Sequence, residues 1–243
     1  MRDPLYTTAH GAARSARVVR WATVAILCAA CAPTAARSAE TAGADSTVLL
    51  SLEEVLEGYN ANISRAMAAI ETLRVEQEMV EPAKDGGEKR ALAVLHYNRV
   101  DGMSREELSG NLGHPVGEYQ LSSLVGPELP SSEYDTLLAS VEEMEGRRCY
   151  RLSVTAIERD TRHFDGTVWV EVGSLGLVRI IGEVADPPFP VQRIKLDKAF
   201  EPTPEGFRLL RRHTGEIDIK LALISRHGMM HIFYTDYAIA SSP

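Results

Sequence analysis

The fold is decided by residues 145–152 and 164–170, which read EGRRCYRL and FDGTVWV. Both runs contain strand-forming residues such as Tyr150, Val168 and Trp169, and turn-forming residues fill the break between them. The pair therefore predicts two neighbouring antiparallel strands. Nothing near them combines a nucleophile with a base, so this stretch favours a binding role over catalysis.

Strand signals continue on both sides of this pair. Upstream, the period changes to two after Leu73, and a turn at Asp85-Gly86-Gly87 leads into a strand over 91–100. Downstream, turns such as His227-Gly228 separate short β runs without intervening helices, which predicts an antiparallel meander. The candidate strands from residue 136 onward are 136–144, 148–157, 166–173, 177–185, 191–200, 206–213, 215–224 and 229–239.

A clear alternation marks the strands near the C-terminus. Ile217, Ile219, Leu221 and Leu223 alternate with Glu216, Asp218, Lys220 and Ala222, and Ile194 and Leu196 alternate with Arg193 and Lys195. Successive strand residues point to opposite faces of a sheet, so this pattern predicts one apolar face and one wet face.

One long amphipathic helix precedes the strands, over about residues 52–72. Ser51 and Glu54 have the spacing of a capping box. Leu56, Tyr59, Ile63 and Met67 belong to an apolar stripe with helical period. The predicted fold class is therefore α+β but mainly β, with a curved antiparallel meander covered by an N-terminal amphipathic helix.

The N-terminus has the composition of an export signal. Arg14, Arg17 and Arg20 precede the uncharged apolar run 21–32, and small residues follow it. We interpret residues 1–39 as a signal peptide, 40–50 as a linker and 51–240 as the folded domain. Signal-peptidase cleavage near Ala36 or Ser38 would release a soluble protein, whereas lipidation of Cys31 would leave a membrane-anchored lipoprotein.

The charge and the polar residues exclude several functions. The net charge of −8 and the pI near 5.4 argue against a nucleic-acid partner. His227 and His231 lack a third ligand at a suitable spacing, so no metal site is predicted, and no cofactor-binding motif occurs. Cys149 is expected to be a small side chain on a strand. These observations predict a protein that is not an enzyme.

The residues that carry a family resemblance lie in the central strands. Gly146, Tyr150, Leu152, the run Thr167–Glu171 and the run Leu177–Ile181 resemble the LolA/LolB-like superfamily of outer-membrane lipoprotein-sorting proteins. The resemblance implies a half-open barrel of about eleven strands with a hydrophobic cavity between sheet and helix. It also implies a periplasmic carrier of lipid or lipoprotein acyl chains. The alternative is an envelope sensor or assembly module of the same fold that binds a partner protein.

The lining of the implied cavity can be assigned to apolar residues of the helix and the strands. These candidates are Leu56, Tyr59, Ile63, Met67, Val168, Trp169, Val170, Val178, Ile180, Ile194, Leu196, Ile217, Ile219, Leu221 and Leu223. Acyl burial needs few polar groups, because each methylene contributes about 0.8 kcal/mol. Membrane contact is expected to be transient, or to occur through a lipidated Cys31.

Overall fold

The computed structural model describes residues 49–110, 120–221 and 224–241. The predicted signal peptide, Cys31 and Leu223 lie outside these ranges. The helices are α1 (Leu52–Ala69) and α2 (Leu121–Val125). The strands are β1 (Ile70–Pro82), β2 (Glu88–Asn98), β3 (Gly102–Ser109), β4 (Tyr134–Met144), β5 (Arg147–Ala156), β6 (Phe164–Glu171), β7 (Leu177–Val184), β8 (Val191–Pro202), β9 (Arg208–Leu221) and β10 (Ile224–Ser241).

The ten strands form one sheet in the order β3-β2-β1-β10-β9-β8-β7-β6-β5-β4, with antiparallel pairing throughout. The long β10 returns to pair with β1, so the N-terminal strands join the meander beside its last strand. β3 and β4 are the two edges of this sheet. The expected fold class, an open curved meander with an N-terminal helix, is confirmed, with ten described strands where about eleven were expected.

Two strand boundaries differ from the sequence prediction. β9 runs unbroken through Gly215, where we expected two separate strands, because it is paired with β8 on one side and β10 on the other. The predicted turn at His227-Gly228 is wrong, since these residues lie inside β10 opposite Asp218 and Ile217. Gly215 is paired on both sides and Gly228 with β9 alone, and in both places strand pairing overrides the local turn signal of the glycine.

β3 was not predicted as a strand. It pairs with β2 over most of its length, yet most of its residues are exposed. A strand that is polar on both faces, such as Ser104–Glu107, lacks the alternation by which strands are recognised. Charged residues are typical of a sheet edge, where they discourage pairing with other chains.

The capping box of α1 is present as predicted. The Ser51 hydroxyl accepts a hydrogen bond from the Glu54 backbone N–H at 3.3 Å, and the Glu54 carboxylate accepts one from the Ser51 N–H at 2.8 Å. The helix ends at Ala69, earlier than expected, because Ile70 is already extended and begins β1. Its buried residues are Val55, Tyr59, Ile63 and Ala66.

The core lies between these helices and the inner face of the sheet. Tyr59 and Leu124 pack in one cluster with Leu152, Val168 and Phe200, all fully or almost fully buried. The Tyr59 hydroxyl donates a hydrogen bond to the Pro127 carbonyl at 2.5 Å and so ties α1 to the segment that follows α2. The inner face is therefore divided into a part packed under the helices and a part beyond them.

The concave face as a candidate ligand site

The space directly under α1 is filled by the protein's own side chains. Tyr59, Ile63, Val168, Val170 and Ile180, all predicted to line a cavity, are at most 6% exposed and belong to the packed core cluster. Interiors packed in this way leave few voids larger than a water molecule. The structure thus brings these residues together as packed core, and they do not line an open cavity.

Gly126 shows how closely this region is packed. Its φ of 114° is a conformation that side-chain-bearing residues rarely adopt. A Cβ at this position would lie 2.5 Å from Leu177 Cδ2, inside any normal contact distance. The segment after α2 therefore fits against β7 only because residue 126 has no side chain.

The two other helical candidates lie on the flanks of α1. Leu56 is half-buried beside an open cleft of about 790 Å³ that also touches Leu129 and Ile157. Met67 is half-buried beside a second open cleft, of about 500 Å³, whose polar wall includes His163. Both clefts run along the helix and neither reaches the strand residues that we expected to line the cavity.

Trp169 and Val178 lie on the other face of the sheet from the core, which differs from their predicted place in a cavity wall. They form a small cluster with Cys149. Val168 and Val170 point into the core, so the pleat directs Trp169 to the opposite face. There its indole N–H donates a hydrogen bond to the Glu142 carboxylate at 2.8 Å.

We expect Trp169→Ala to destabilise the protein by about 3 kcal/mol while leaving the affinity for a fatty acid unchanged. The side chain is only 7% exposed, but it does not reach the concave face. Urea unfolding and titration with a fluorescent fatty acid measure the two effects. Trp169→Phe, which keeps most of the ring volume, serves as the control. A tenfold or greater loss of affinity in the folded alanine variant would contradict this placement.

Cys149 is fully buried in the same cluster. Burial, and then the charge of Glu171, raise the pKa of its thiol to about 11, which opposes formation of a thiolate. Cys149 is thus a small side chain on β5, as expected from the sequence.

The remaining strand candidates form an apolar surface that keeps contact with solvent. We name this surface the distal strip, and it comprises Ile194, Leu196, Ile217, Ile219 and Leu221. The register places Ile194 opposite Ile217 and Leu196 opposite Gly215. The first four side chains are half-buried, and Leu221 is 48% exposed. Leu196 also packs against the core cluster, so the strip continues from the core along the same face.

The opposite face of these strands is wet, as predicted. Arg193 donates to the Asp218 carboxylate at 2.8 Å through Nε, and Asp218 also lies 2.7 Å from His227 Nδ1. The hydrogen bonds from His227 and then Arg193 lower the pKa of Asp218. Lys195 and Glu216 form the next ion pair, at 3.3 Å. These ion pairs lie on the solvent-facing side of β8 and β9, and the distal strip forms the apolar side.

Two ionisable residues that were not predicted from the sequence, Lys198 and His213, lie on the inner face beside the strip. They are opposite each other in the register, between Ile180 and Ile232. Burial lowers the pKa of Lys198. Burial, and then the charge of Lys198, lower the pKa of His213 to about 3. The sequence signal was their spacing from Leu196 and Phe200, which places Lys198 on the inward positions of β8.

Two further properties concern metals and membranes. Within the described ranges, no three His, Cys, Asp or Glu side chains are grouped so that they could hold a metal ion. His231 instead bonds Thr214 Oγ1 through Nδ1 at 3.0 Å. Neither α1 nor α2 has the length and apolar character that a membrane-crossing helix requires.

No family model and no curated protein matches this chain. Solved structures do. A LolA superfamily protein from Nitrosomonas europaea is 12% identical, with a TM-score of 0.42 over 80% of this chain and 96% of that one. A Vibrio parahaemolyticus domain described as an outer membrane lipoprotein-sorting protein is 11% identical, with a TM-score of 0.47 over 77% and 92%. A chain of the MucA/MucB complex from Pseudomonas aeruginosa is 10% identical, with a TM-score of 0.29 over 74% and 93%.

These matches are likenesses of fold alone. At these identities and TM-scores the known structures assign neither a ligand nor a partner to this chain. Its function has to be argued from its own residues.

Proposed function

We propose that this protein is an exported, non-enzymatic LolA-like carrier that holds the acyl chain of a lipid or lipoprotein on the distal strip. The observation that carries the proposal is the half-exposed apolar row of Ile194, Leu196, Ile217 and Ile219 on the inner face of an open sheet. In line with the family resemblance of the sequence, the carrier works in the periplasm and serves outer-membrane lipoprotein sorting.

The geometry of the strip suits a chain of methylenes. Ile194 and Ile217 face each other across β8 and β9. Leu196 is the next inward residue of β8 and Ile219 the next inward residue of β9, so the four side chains form an apolar track. Each methylene moved from water onto this track contributes about 0.8 kcal/mol. An acyl chain of ordinary length therefore binds by apolar burial alone, and the strip needs no polar group to hold it.

Substituting Ile217 with Asp tests this site directly. We expect Ile217→Asp to weaken binding of a fluorescent fatty acid by about tenfold or more, because the carboxylate breaks the apolar track. Ile181→Asp is the matched control, since Ile181 is 40% exposed on the opposite face, beside Asp197. Fluorescence titration gives the affinities, and circular dichroism establishes that both variants are folded.

Equal loss in the two variants would mean that the strip is not the binding surface. A wild-type protein that binds no fatty acid, and that carries no lipid in native mass spectrometry after purification from the periplasm, would overturn the carrier proposal as a whole.

A second candidate, an envelope sensor or assembly module, is favoured by the edge strand β4 and the cleft at its start. Leu137 on the edge strand β4 is 62% exposed, and Ile157 is 59% exposed at the open cleft lined by Leu52 and Leu56. An edge strand next to exposed apolar side chains is a usual place for a partner segment to add. Leu137→Glu would then abolish a defined envelope complex and leave lipid binding unchanged, whereas Ile217→Asp would do the reverse.

A further inference from the structure

Lys198 places a basic side chain on the inner face of the sheet. Within residues 49–110, 120–221 and 224–241, no carboxylate forms an ion pair with its ammonium group. The neighbouring Asp197 does not serve, because it lies on the opposite face and accepts two hydrogen bonds from Arg179, at 2.9 and 2.7 Å. The Asp197 carboxylate is therefore bound to Arg179 and does not pair with Lys198.

His213 presents a second unsatisfied group at the same place. Its Nε2 is buried and has no hydrogen-bond partner among the described residues. His213 lies directly opposite Lys198 in the register of β8 and β9. Buried polar atoms normally have partners, and an unpaired one needs a reason such as a ligand that is not present.

Gly215 lies where these two groups meet the distal strip. Gly215 lies between His213 and Ile217 on the inner side of β9, opposite Leu196. A Cβ on Gly215 would have one described atom within 4 Å, the His213 Nε2 at 3.8 Å. The missing side chain therefore leaves a gap over Gly215, beside the unpaired nitrogen.

Charge complementarity decides what fits this arrangement. An unpaired ammonium in apolar surroundings is costly, and an anion that reaches it regains a charge-assisted hydrogen bond. A neutral imidazole can donate a second hydrogen bond to the same anion. The anion must also carry an apolar chain, because the gap opens onto Leu196 and Ile217 and not onto a polar surface.

We propose that Lys198 and His213 bind the anionic head group of an amphiphile whose acyl chain lies on the distal strip. This inference rests on the proposed function and adds the class of ligand to it. The head group is a carboxylate or a phosphate, as in a fatty acid or an anionic lipid. The amphiphile enters over Gly215 with its head group toward the core.

The experiment compares laurate, dodecyl phosphate and dodecanol, which share one chain length and differ in the head group. Calorimetric titration gives their affinities for the wild type and for Lys198→Met. We expect the wild type to bind one or both anions about tenfold or more tightly than the alcohol, and Lys198→Met to lose that preference. Lys198→Arg should retain it.

Lys195→Met is the matched control. Lys195 lies in the same strand but on the wet face, where it pairs with Glu216, so its loss should leave all three affinities unchanged. Gly215→Val should weaken all three ligands together by closing the gap. Thermal unfolding of each variant establishes that the comparison is made between folded proteins.

The outcomes separate the two proposals. If the wild type binds laurate, dodecyl phosphate and dodecanol equally, or if Lys198→Met keeps the preference for anions, the head-group site is wrong and the acyl site stands. If none of the three ligands binds, the proposed function fails as well. A preference for one anion that Lys198→Met abolishes supports the site and identifies carboxylate or phosphate as its ligand.

Discussion

Replacing Tyr59 with alanine is expected to lower the free energy of unfolding by about 4 kcal/mol. Tyr59 has no solvent exposure, lies in the middle of α1, and packs in the core cluster with Val168 and Phe200. Its truncation creates a cavity and also leaves the half-buried Pro127 carbonyl without the hydroxyl that donates to it at 2.5 Å. Urea denaturation followed by circular dichroism measures the loss.

One variant isolates the contribution of the Tyr59 hydroxyl, and a second, at an exposed position, serves as the control. Tyr59→Phe removes only the hydroxyl and should cost about 1 kcal/mol. Leu137→Ala removes an apolar side chain that is 62% exposed, and its effect should stay within about 0.5 kcal/mol. If Tyr59→Ala costs less than about 1 kcal/mol, α1 covers a void, and a ligand cavity under the helix would again be the better interpretation.

The sequence predicted those parts of the fold that depend on neighbouring residues. The capping box of Ser51 and Glu54 is a local pattern, and so is the period of two in β5 and β6. The antiparallel order of most strands followed from the short turns between them. What these patterns could not give was the pairing of β1 with β10, which joins residues that are far apart in the chain.

The candidate site was predicted less well, because periodicity gives the face of a residue but not what covers that face. Val168 and Ile217 look alike in the sequence, yet Val168 is fully buried under the helices and Ile217 is half-buried beyond them. The difference arises from α1 and from α2, whose Leu124 packs into the core. The segment around α2 has no regular period, so its contribution could not be foreseen.

Lys198 shows the same limit for polar residues. Lys195 and Lys198 are both lysines on β8, and composition assigns both to a solvated face. Only the register separates them, since it places Lys195 opposite Glu216 on the wet face and Lys198 opposite His213 on the inner face. Trp169 gives the converse case, because a large aromatic residue suggested an interior position that the pleat assigns to Val168 and Val170.

His213 and His163 should give the stability opposite dependences on pH. The His163 ring lies between two carboxylates, with Nδ1 2.8 Å from Asp160 Oδ1 and Nε2 3.2 Å from Glu133 Oε2. Burial works against its charge, but the hydrogen bonds to Asp160 and Glu133 outweigh burial and raise the pKa of His163. Among the described residues no carboxylate hydrogen-bonds His213, and burial, followed by the charge of Lys198, lowers its pKa to about 3.

The signs follow from which form of each ring the folded state favours. The folded state favours neutral His213. The stabilisation that His213 gives the fold is therefore complete above the ordinary pKa of about 6.5 and is lost as the pH falls toward about 3. The fold favours protonated His163. The stabilisation that His163 gives the fold is complete below about pH 6.5 and is lost as the pH rises through the raised pKa of His163.

Glutamine variants isolate the two contributions, because all other groups titrate alike in the variant and the wild type. Between about pH 7 and about pH 5 the wild type should lose about 2 kcal/mol more than His213→Gln. Over the same interval His163→Gln should differ from the wild type in the opposite direction. Urea unfolding at each pH gives both differences. If His213→Gln follows the wild type at every pH, the His213 ring takes up its proton freely in the folded state, and the inner face beside Lys198 is wet enough to hold both charges without an anionic ligand.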